Sequence, residues 1–327
     1  MPEPTTALER AIRSQPDELE RLTEVDLGRP IELLEAARRV WLVGTGTSQH
    51  AAELGAAMLH EAGRDAVAVP SMHFVTWPRP LDRHDAVVLI SHNAGAETAY
   101  AAAAHARATR AGLAVLPITR VGGGLPNALE TVAQERSHTY TVSYTAVLLL
   151  LARIAGALGA RTLDPETIRA VPEAVRRALE NPGVEAIEQP DRLLVVFGSG
   201  PASVTAREGA LKLREAARLP AEGYDAEYLL HGSAVPLTPD DAMVALLPPD
   251  PDGLVEGLAS AAERSGIPVG WLREGADLPP PLAQIPLTVR LQLLALRLAT
   301  ERSRNPDIAI EGPWADEALW AIGAPGG

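Results

Sequence analysis

Four residues in one stretch carry side chains that can hold or move a proton: Glu208, Lys212, Glu215 and, further on, His231. Apolar Ala210, Leu211, Leu213, Ala217 and Leu219 interleave with the first three at a helical rather than alternating period, which predicts a helix over 208–219. Glu208, Lys212 and Glu215 then stand at i, i+4 and i+7, so one helical face carries a carboxylate, an ammonium and a second carboxylate. Such a face has two readings. As solvated surface it is an ion pair worth about 0.2–0.5 kcal/mol. As part of a site it must lie near a bound ligand, and its context supplies that. The apolar run Leu193–Phe197 and the turn Gly198-Ser199-Gly200 come just before it, so the helix starts at the rim of a sheet, where open α/β sheets bind ligands. His231 can donate and accept near neutral pH; its structural alternative is to cap a turn before Gly232. Among 29 lysines and arginines, Lys212 is the only lysine.

Two other segments set hydroxyls and glycines between a strand and a helix. Val40–Val43 runs into Gly44-Thr45-Gly46-Thr47-Ser48 and a helix over 49–62. Ala86–Ile90 runs into Ser91-His92-Asn93-Ala94-Gly95-Ala96-Glu97-Thr98 and an alanine-rich helix to Ala111. A strand, a Gly/Thr/Ser turn and a helix form the geometry in which N–H groups and hydroxyls cradle an anion. Each turn can equally be a plain βα connection, and His92 and His138 can be ordinary loop histidines. Neither turn is GxGxxG, and no acidic residue closes a clear second strand as a dinucleotide fold requires. No His/Asp/Glu spacing resembles a metal ligand set, so neither cofactor nor metal is expected.

These loops need strands and helices to hold them, and the chain supplies them in alternation. Residues 1–38 read as helical, with a break at Gly28 and Pro30, and form a packing or dimerisation arm. Strands follow at 66–69, 114–118 and, at an edge, 131–133, with a helix over 141–158. Helical pieces between Pro165, Pro172, Pro182 and Pro190 form a linker. The pattern then restarts with strands at 193–197, 242–247 and 267–272 and helices at 205–219, 253–265 and 289–302. The fold class is α/β: two parallel sheets flanked by helices, related as a structural repeat. The expected boundaries are an arm at 1–28, a first domain at 29–160, a linker at 161–190 and a second domain at 191–327.

At 327 residues the chain can bury two ordinary cores. A net charge of −13 without basic runs argues against nucleic acid, but not against an anionic small molecule held by local loops. With 0 cysteines there are no disulfides, thiol nucleophiles or thiolate metal sites. Met1–Ala11 lacks the apolar core of a signal peptide, and the longest apolar run, Ala146–Ala152, is too short to span a bilayer. A cytoplasmic protein with no membrane partner is expected.

The chain resembles the tandem sugar-isomerase (SIS) domains that form the isomerase half of glutamine–fructose-6-phosphate aminotransferase, over residues 30–325. Glu208-Gly-Ala-Leu-Lys212-Leu-Arg-Glu215 matches Glu-Gly-Ala-Leu-Lys-Leu-Lys-Glu of that family almost residue for residue. Gly46-Thr47-Ser48 matches its Gly-Thr-Ser turn. Ser91 and Thr98 match the ends of its Ser-Gln-Ser-Gly-Glu-Thr phosphate loop, here two residues longer, with His92 and Asn93 inside. Ser137 matches the serine of its Val-Ala-Ser-Thr-Lys segment, with Thr139 at the lysine position. Tyr228-Leu229-Leu230-His231-Gly232 is similar to Glu-Leu-Lys-His-Gly. The family's C-terminal Schiff-base lysine aligns with Glu311. The resemblance implies a flavodoxin-like three-layer fold in each half and aldose–ketose isomerisation of a sugar phosphate or amino sugar phosphate, coupled to amination or deamination. By resemblance, Glu215 transfers the carbon proton, His231 opens the ring across a homodimer interface, and Lys212 and Glu208 complete the catalytic group. A glutaminase domain is not expected in this chain. Splitting of fructosamine phosphates and non-catalytic sugar-phosphate sensing are the alternatives.

Overall fold

The computed structural model describes residues 6–77, 79–94, 99–249, 251 and 253–322. The chain divides into two compact units. The N-terminal unit comprises 17–135, 142–169 and 310–327; the C-terminal unit comprises 1–16, 136–141 and 170–309.

The first elements are α1 (Ala7–Leu22), α2 (Gly28–Glu35), β1 (Val40–Gly44), α3 (Thr47–Glu61), β2 (Ala66–Pro70), α4 (Ser71–Thr76) and β3 (Ala86–Ile90). They continue with α5 (Ala99–Arg110), β4 (Ala114–Thr119), β5 (Leu129–Glu130), α6 (Val142–Ala157) and α7 (Pro165–Arg169). In the N-terminal unit the strands form a parallel sheet in the order β2-β1-β3-β4-β5. β1 and β3 are buried throughout, which explains their unbroken apolar runs: a parallel strand is covered on both faces. The strand order reverses at β1, so the crevice at the C-terminal ends of β1 and β3 is the topological switch point.

Next come α8 (Val171–Glu180), β6 (Leu194–Gly198), α9 (Pro201–Ala217), β7 (Ala221–Asp225), α10 (Ala226–Tyr228) and β8 (Ala242–Leu247). They end with α11 (Leu254–Arg264), β9 (Val269–Arg273), α12 (Pro280–Glu301) and α13 (Glu317–Ala321). The C-terminal unit holds a second parallel sheet in the order β7-β6-β8-β9. Its core is built from Val195, Phe197, Met243, Ala245 and Leu247 of the sheet, with Val255 and Ala259 of α11. α9 packs on β6 and β7 and also against α12. Gly209 makes the latter approach possible, since a Cβ there would come within 2.5 Å of Leu291 Cδ1.

The boundaries differ from the sequence pattern where proline or partner strands decide. The pattern starts the last long helix at Val289, whereas α12 starts at Pro280, because proline is well tolerated in a first helical turn whose N–H groups lack partners anyway. α9 likewise starts at Pro201 rather than at 205 or 208. β7, with sequence Ala-Glu-Gly-Tyr-Asp, shows no apolar alternation; its pairing with β6 makes it a strand. The edge strand lies at Leu129–Glu130, not 131–133, where Thr131 N–H already bonds the Thr119 carbonyl (2.8 Å). α4 follows β2 directly and has no counterpart in the pattern. Among the described residues one helix, Pro280–Glu301, is long and apolar enough to cross a membrane, and 78% of its apolar window is buried within the protein.

Candidate active site

α9 is buried on most of its circumference because a sheet covers one side and α12 the other. The face predicted to carry charge is therefore not solvated. Glu208 and Lys212 are both 0% exposed, and 23% of the Glu215 side chain reaches the surface. Lys212 Nζ donates to Glu215 Oε2 at 2.6 Å and lies 3.4 Å from Glu208 Oε1. Burying charges without partners costs several kcal/mol, on the order of what the whole fold can spare; here one ammonium serves two carboxylates. Burial pushes the Glu215 carboxyl above its ordinary range. Attraction and the hydrogen bond from Lys212 oppose that shift, Glu208 adds to it, and Arg214 opposes it. The result is a carboxyl that can exchange a proton at higher pH than an exposed glutamate, with an edge open to a ligand.

His231 lies in a distorted helical turn, Leu229–Ser233, beside Gly232 at φ 113°. Its side chain is 73% exposed and its Nε2 lies 3.7 Å from Glu227 Oε1. The structure thus gathers Glu208, Lys212 and Glu215, and leaves His231 on the surface of the same unit.

In the N-terminal unit the two hydroxyl-rich turns fall at the ends of adjacent strands. β1 pairs with β3, so Gly46, Thr47 and Ser48 share the switch-point rim with Ser91, His92 and Asn93. Gly46, at φ 57° and ψ −126°, caps α3 in a conformation open to glycine, and Thr47 and Ser48 open the helix half-buried. Ser91 N–H bonds the Ile118 carbonyl (3.1 Å), and the His92 carbonyl accepts from Arg120 N–H (3.0 Å), which ties this loop to β4 and the residue after it. The His92 ring accepts the Glu135 N–H at Nε2 (3.3 Å), which sets its tautomer in this arrangement. The Glu135 carboxylate in turn accepts Ser143 N–H (2.9 Å) in the first turn of α6. Thr98 lies outside the described residues.

Ser137 belongs to the C-terminal unit and its hydroxyl is already engaged. It donates to the Pro306 carbonyl (3.3 Å), as does Thr139 (3.0 Å), and His138 N–H bonds the Asp307 carbonyl (2.9 Å). Asp307 caps α1 from almost the whole chain away, accepting Ala7 N–H (2.9 Å) and Leu8 N–H (2.7 Å). Sequence reasoning misses Glu135 and Asp307, because their partners are remote and no local spacing announces them. Among the described residues no cluster of His, Asp and Glu could hold a metal ion.

Residues 33–153 match the family profile of the SIS domain. The switch-point rim, with Gly46–Ser48 and Ser91–Asn93, lies inside the matched segment, and the Glu208–Lys212–Glu215 cluster lies beyond it. The chain is similar to glutamine–fructose-6-phosphate aminotransferase [isomerizing] of Pyrococcus horikoshii, at 29% identity over 308 residues, covering 84% of this chain and 51% of that protein. The same enzyme of Pyrobaculum aerophilum is 29% identical over 306 residues, covering 84% of this chain and 50% of its own length. The chain thus spans about half the length of the curated relatives it matches. Among solved structures, tagatose-6-phosphate ketose/aldose isomerase from Escherichia coli superposes with a TM-score of 0.79 at 22% identity, covering 96% of this chain and 100% of that one. The C-terminal domain of glucosamine-fructose-6-phosphate aminotransferase from Francisella tularensis gives 0.77 at 19% identity, covering 93% and 98%. At such identities these structures establish the shared α/β fold of parallel sheets flanked by helices.

Proposed function

We propose that this chain is a phosphosugar isomerase that moves a proton between C1 and C2 of an open-chain sugar phosphate or amino sugar phosphate. The observation that carries the reading is the buried Glu208–Lys212–Glu215 cluster, in which a partly accessible carboxyl has its proton affinity raised by burial. Glu215 is the carbon base, Lys212 holds it in place, and Glu208 completes the charge balance around the ammonium. The names of the relatives support the substrate class, since they describe aldose–ketose or amino-group chemistry on hexose 6-phosphates. The finer form of the activity is isomerisation coupled to amination or deamination.

The switch-point rim of the N-terminal unit is assigned to the sugar phosphate, with Gly46, Thr47, Ser48, Ser91, His92 and Asn93 in that role; Thr98 is assigned to the same ligand by resemblance alone. Residues 191–327, which carry the second parallel sheet, are read as a second SIS domain, in the arrangement 1–28, 29–160, 161–190 and 191–327. The repeat of a glycine-capped βα turn at Gly46 and Gly200 supports it. His231 is assigned to ring opening. Tyr228, Leu230 and Val235 around it are 62%, 63% and 84% exposed, which suits a homodimer interface that would cover them.

The test is proton-exchange NMR in deuterated water with fructose 6-phosphate and glucosamine 6-phosphate. Deuterium at C1 or C2 with the wild type and not with Glu215→Gln is the expected result. Ligand-induced thermal stabilisation without exchange in the wild type would replace catalysis with sensing.

A further inference from the structure

The N-terminal unit holds a second group of residues that the proposed reaction does not use. Trp41, Val43 and Val69 of the sheet pack with Phe74 of α4 and with Ala104 and Ala108 of α5. α3 covers the opposite face, where a Cβ at Gly55 would come within 3.0 Å of Leu42 Cδ2. On the α4 and α5 side, Trp41, His73, Phe74, Trp77, Arg79 and Arg107 line a cleft of about 200 Å³. None of these residues belongs to the switch-point rim. The walls are aromatic: Trp41 and Phe74 meet edge to face with centroids 6.5 Å apart, and His73 and Trp77, one helical turn apart, do so at 5.7 Å. Trp77 stays 73% exposed, a large aromatic surface that the fold itself does not cover. Two guanidiniums line the same cleft. Arg107 Cζ lies 5.7 Å from the Phe74 ring centroid, and its Nε is buried without a hydrogen-bond partner. Among the described residues neither Arg79 nor Arg107 has an ion pair. The carboxylates next to Trp41 and Leu81 are committed elsewhere. Asp85 accepts the Trp41 Nε1–H (3.0 Å) and pairs with Arg38 (2.7 Å), and Asp82 pairs with His84 (2.8 Å).

We propose that this cleft is a binding site, separate from the candidate active site, for a small aromatic carboxylate of one ring. The volume sets the size, since it falls below the roughly 300–1,000 Å³ of pockets that enclose drug-sized molecules and leaves no room for a nucleotide. The aromatic walls set the shape. A planar ring packs offset or edge to face against Trp77, His73 and Phe74, and covers the tryptophan surface left bare. The two guanidiniums set the charge, because each offers a planar fork of N–H donors that matches a carboxylate. A carboxylate at this point also gives the buried Arg107 Nε–H the acceptor it lacks. An alicyclic acid keeps the charge and loses the ring contacts, and an aromatic alcohol does the reverse. The cleft lies across the sheet from α3, whose first turn carries Thr47 and Ser48, so its ligand does not compete with a sugar phosphate at the rim. This site goes beyond the isomerase reading and stands without it.

The test is fluorine NMR of 4-fluorobenzoate titrated with the full chain. Saturable line broadening with a dissociation constant on the order of 1 mM is expected for so few ligand atoms. Benzoate should displace the probe, while cyclohexanecarboxylate and inorganic phosphate at about tenfold excess over it should not. 4-Fluorobenzyl alcohol, which keeps the ring and loses the charge, should bind at least about tenfold more weakly. Trp77→Ala and Arg79→Gln alter exposed side chains, so both variants should fold by circular dichroism, and each should weaken 4-fluorobenzoate binding by at least about fivefold. No saturable binding to the wild type up to about 20 mM overturns the proposal. So does undiminished binding in both variants, which places the probe elsewhere, or displacement by fructose 6-phosphate, which places it in the sugar-phosphate site. Displacement by inorganic phosphate or cyclohexanecarboxylate as effective as that by benzoate reduces the cleft to a bare anion site and overturns it too. Deuterium exchange on the sugar phosphates tests the isomerase reading independently of each of these outcomes.

Discussion

Gly46 and Gly200 adopt almost the same backbone conformation, φ 57° and ψ −126° against φ 55° and ψ −127°, each as the residue before a long helix that follows a buried strand. A Cβ at either position meets nothing within 4 Å, so the cost of a side chain there is conformational rather than steric. Gly46→Ala and Gly200→Ala should each destabilise the protein by about 1–2 kcal/mol, read as a lower urea midpoint with an unchanged m-value. A side chain accepted at both without loss would mean that the turns relax freely.

The two members of the Lys212–Glu215 pair should respond differently to removal. Lys212→Met leaves the Glu208 and Glu215 carboxylates without their ammonium and should cost about 3–5 kcal/mol. Glu215→Gln leaves Lys212 paired with Glu208 and keeps a hydrogen-bonding group in place, so its stability loss should be under about half of that. Denaturant titration of both variants distinguishes this from a surface ion pair, for which both losses would fall below about 1 kcal/mol.

Glu215 and Glu274 each have a carboxyl raised above the ordinary value of 4.5, with burial as the largest cause; Lys212 opposes it at Glu215, and the Arg290 hydrogen bond opposes it at Glu274. A carboxyl with a raised folded-state pKa binds its proton more tightly in the folded chain. Its contribution to stability is complete below the unfolded value and is lost as pH rises through the folded value. Stability should therefore fall between the ordinary glutamate range and the raised values, and Glu215→Gln should flatten that fall. Because the base form of Glu215 carries the proposed reaction, exchange should rise over the same pH interval in which its stability contribution falls. An acid limb at or below 4.5 would contradict the assignment.

Asp307 stabilises the start of α1 through two backbone hydrogen bonds. Thr6 holds the Glu9 N–H in the same turn (3.1 Å), so the helix should survive the loss of one cap. Asp307→Ala is expected to cost about 1–2 kcal/mol and to speed amide exchange at Ala7 and Leu8, while the Glu208–Lys212–Glu215 geometry stays intact.

The sequence by itself determined the alternation of strands and helices, because periodicity is a relation between near neighbours and survives without tertiary partners. It determined that Glu208, Lys212 and Glu215 share one helix face, and that hydroxyls and glycines follow Val43 and Ile90. It could not determine that this helix face is buried. A charged stripe at i, i+4 and i+7 looks the same whether water or α12 and a sheet surround the helix, and only the packing decides it. β7 was illegible for a related reason: Glu222, Gly223 and Tyr224 make a strand through pairing with Val195, Val196 and Phe197, which local pattern does not encode. The Asp307 cap and the His92–Glu135 bond are likewise products of tertiary structure, since the groups they join lie far apart along the chain and meet only when it folds.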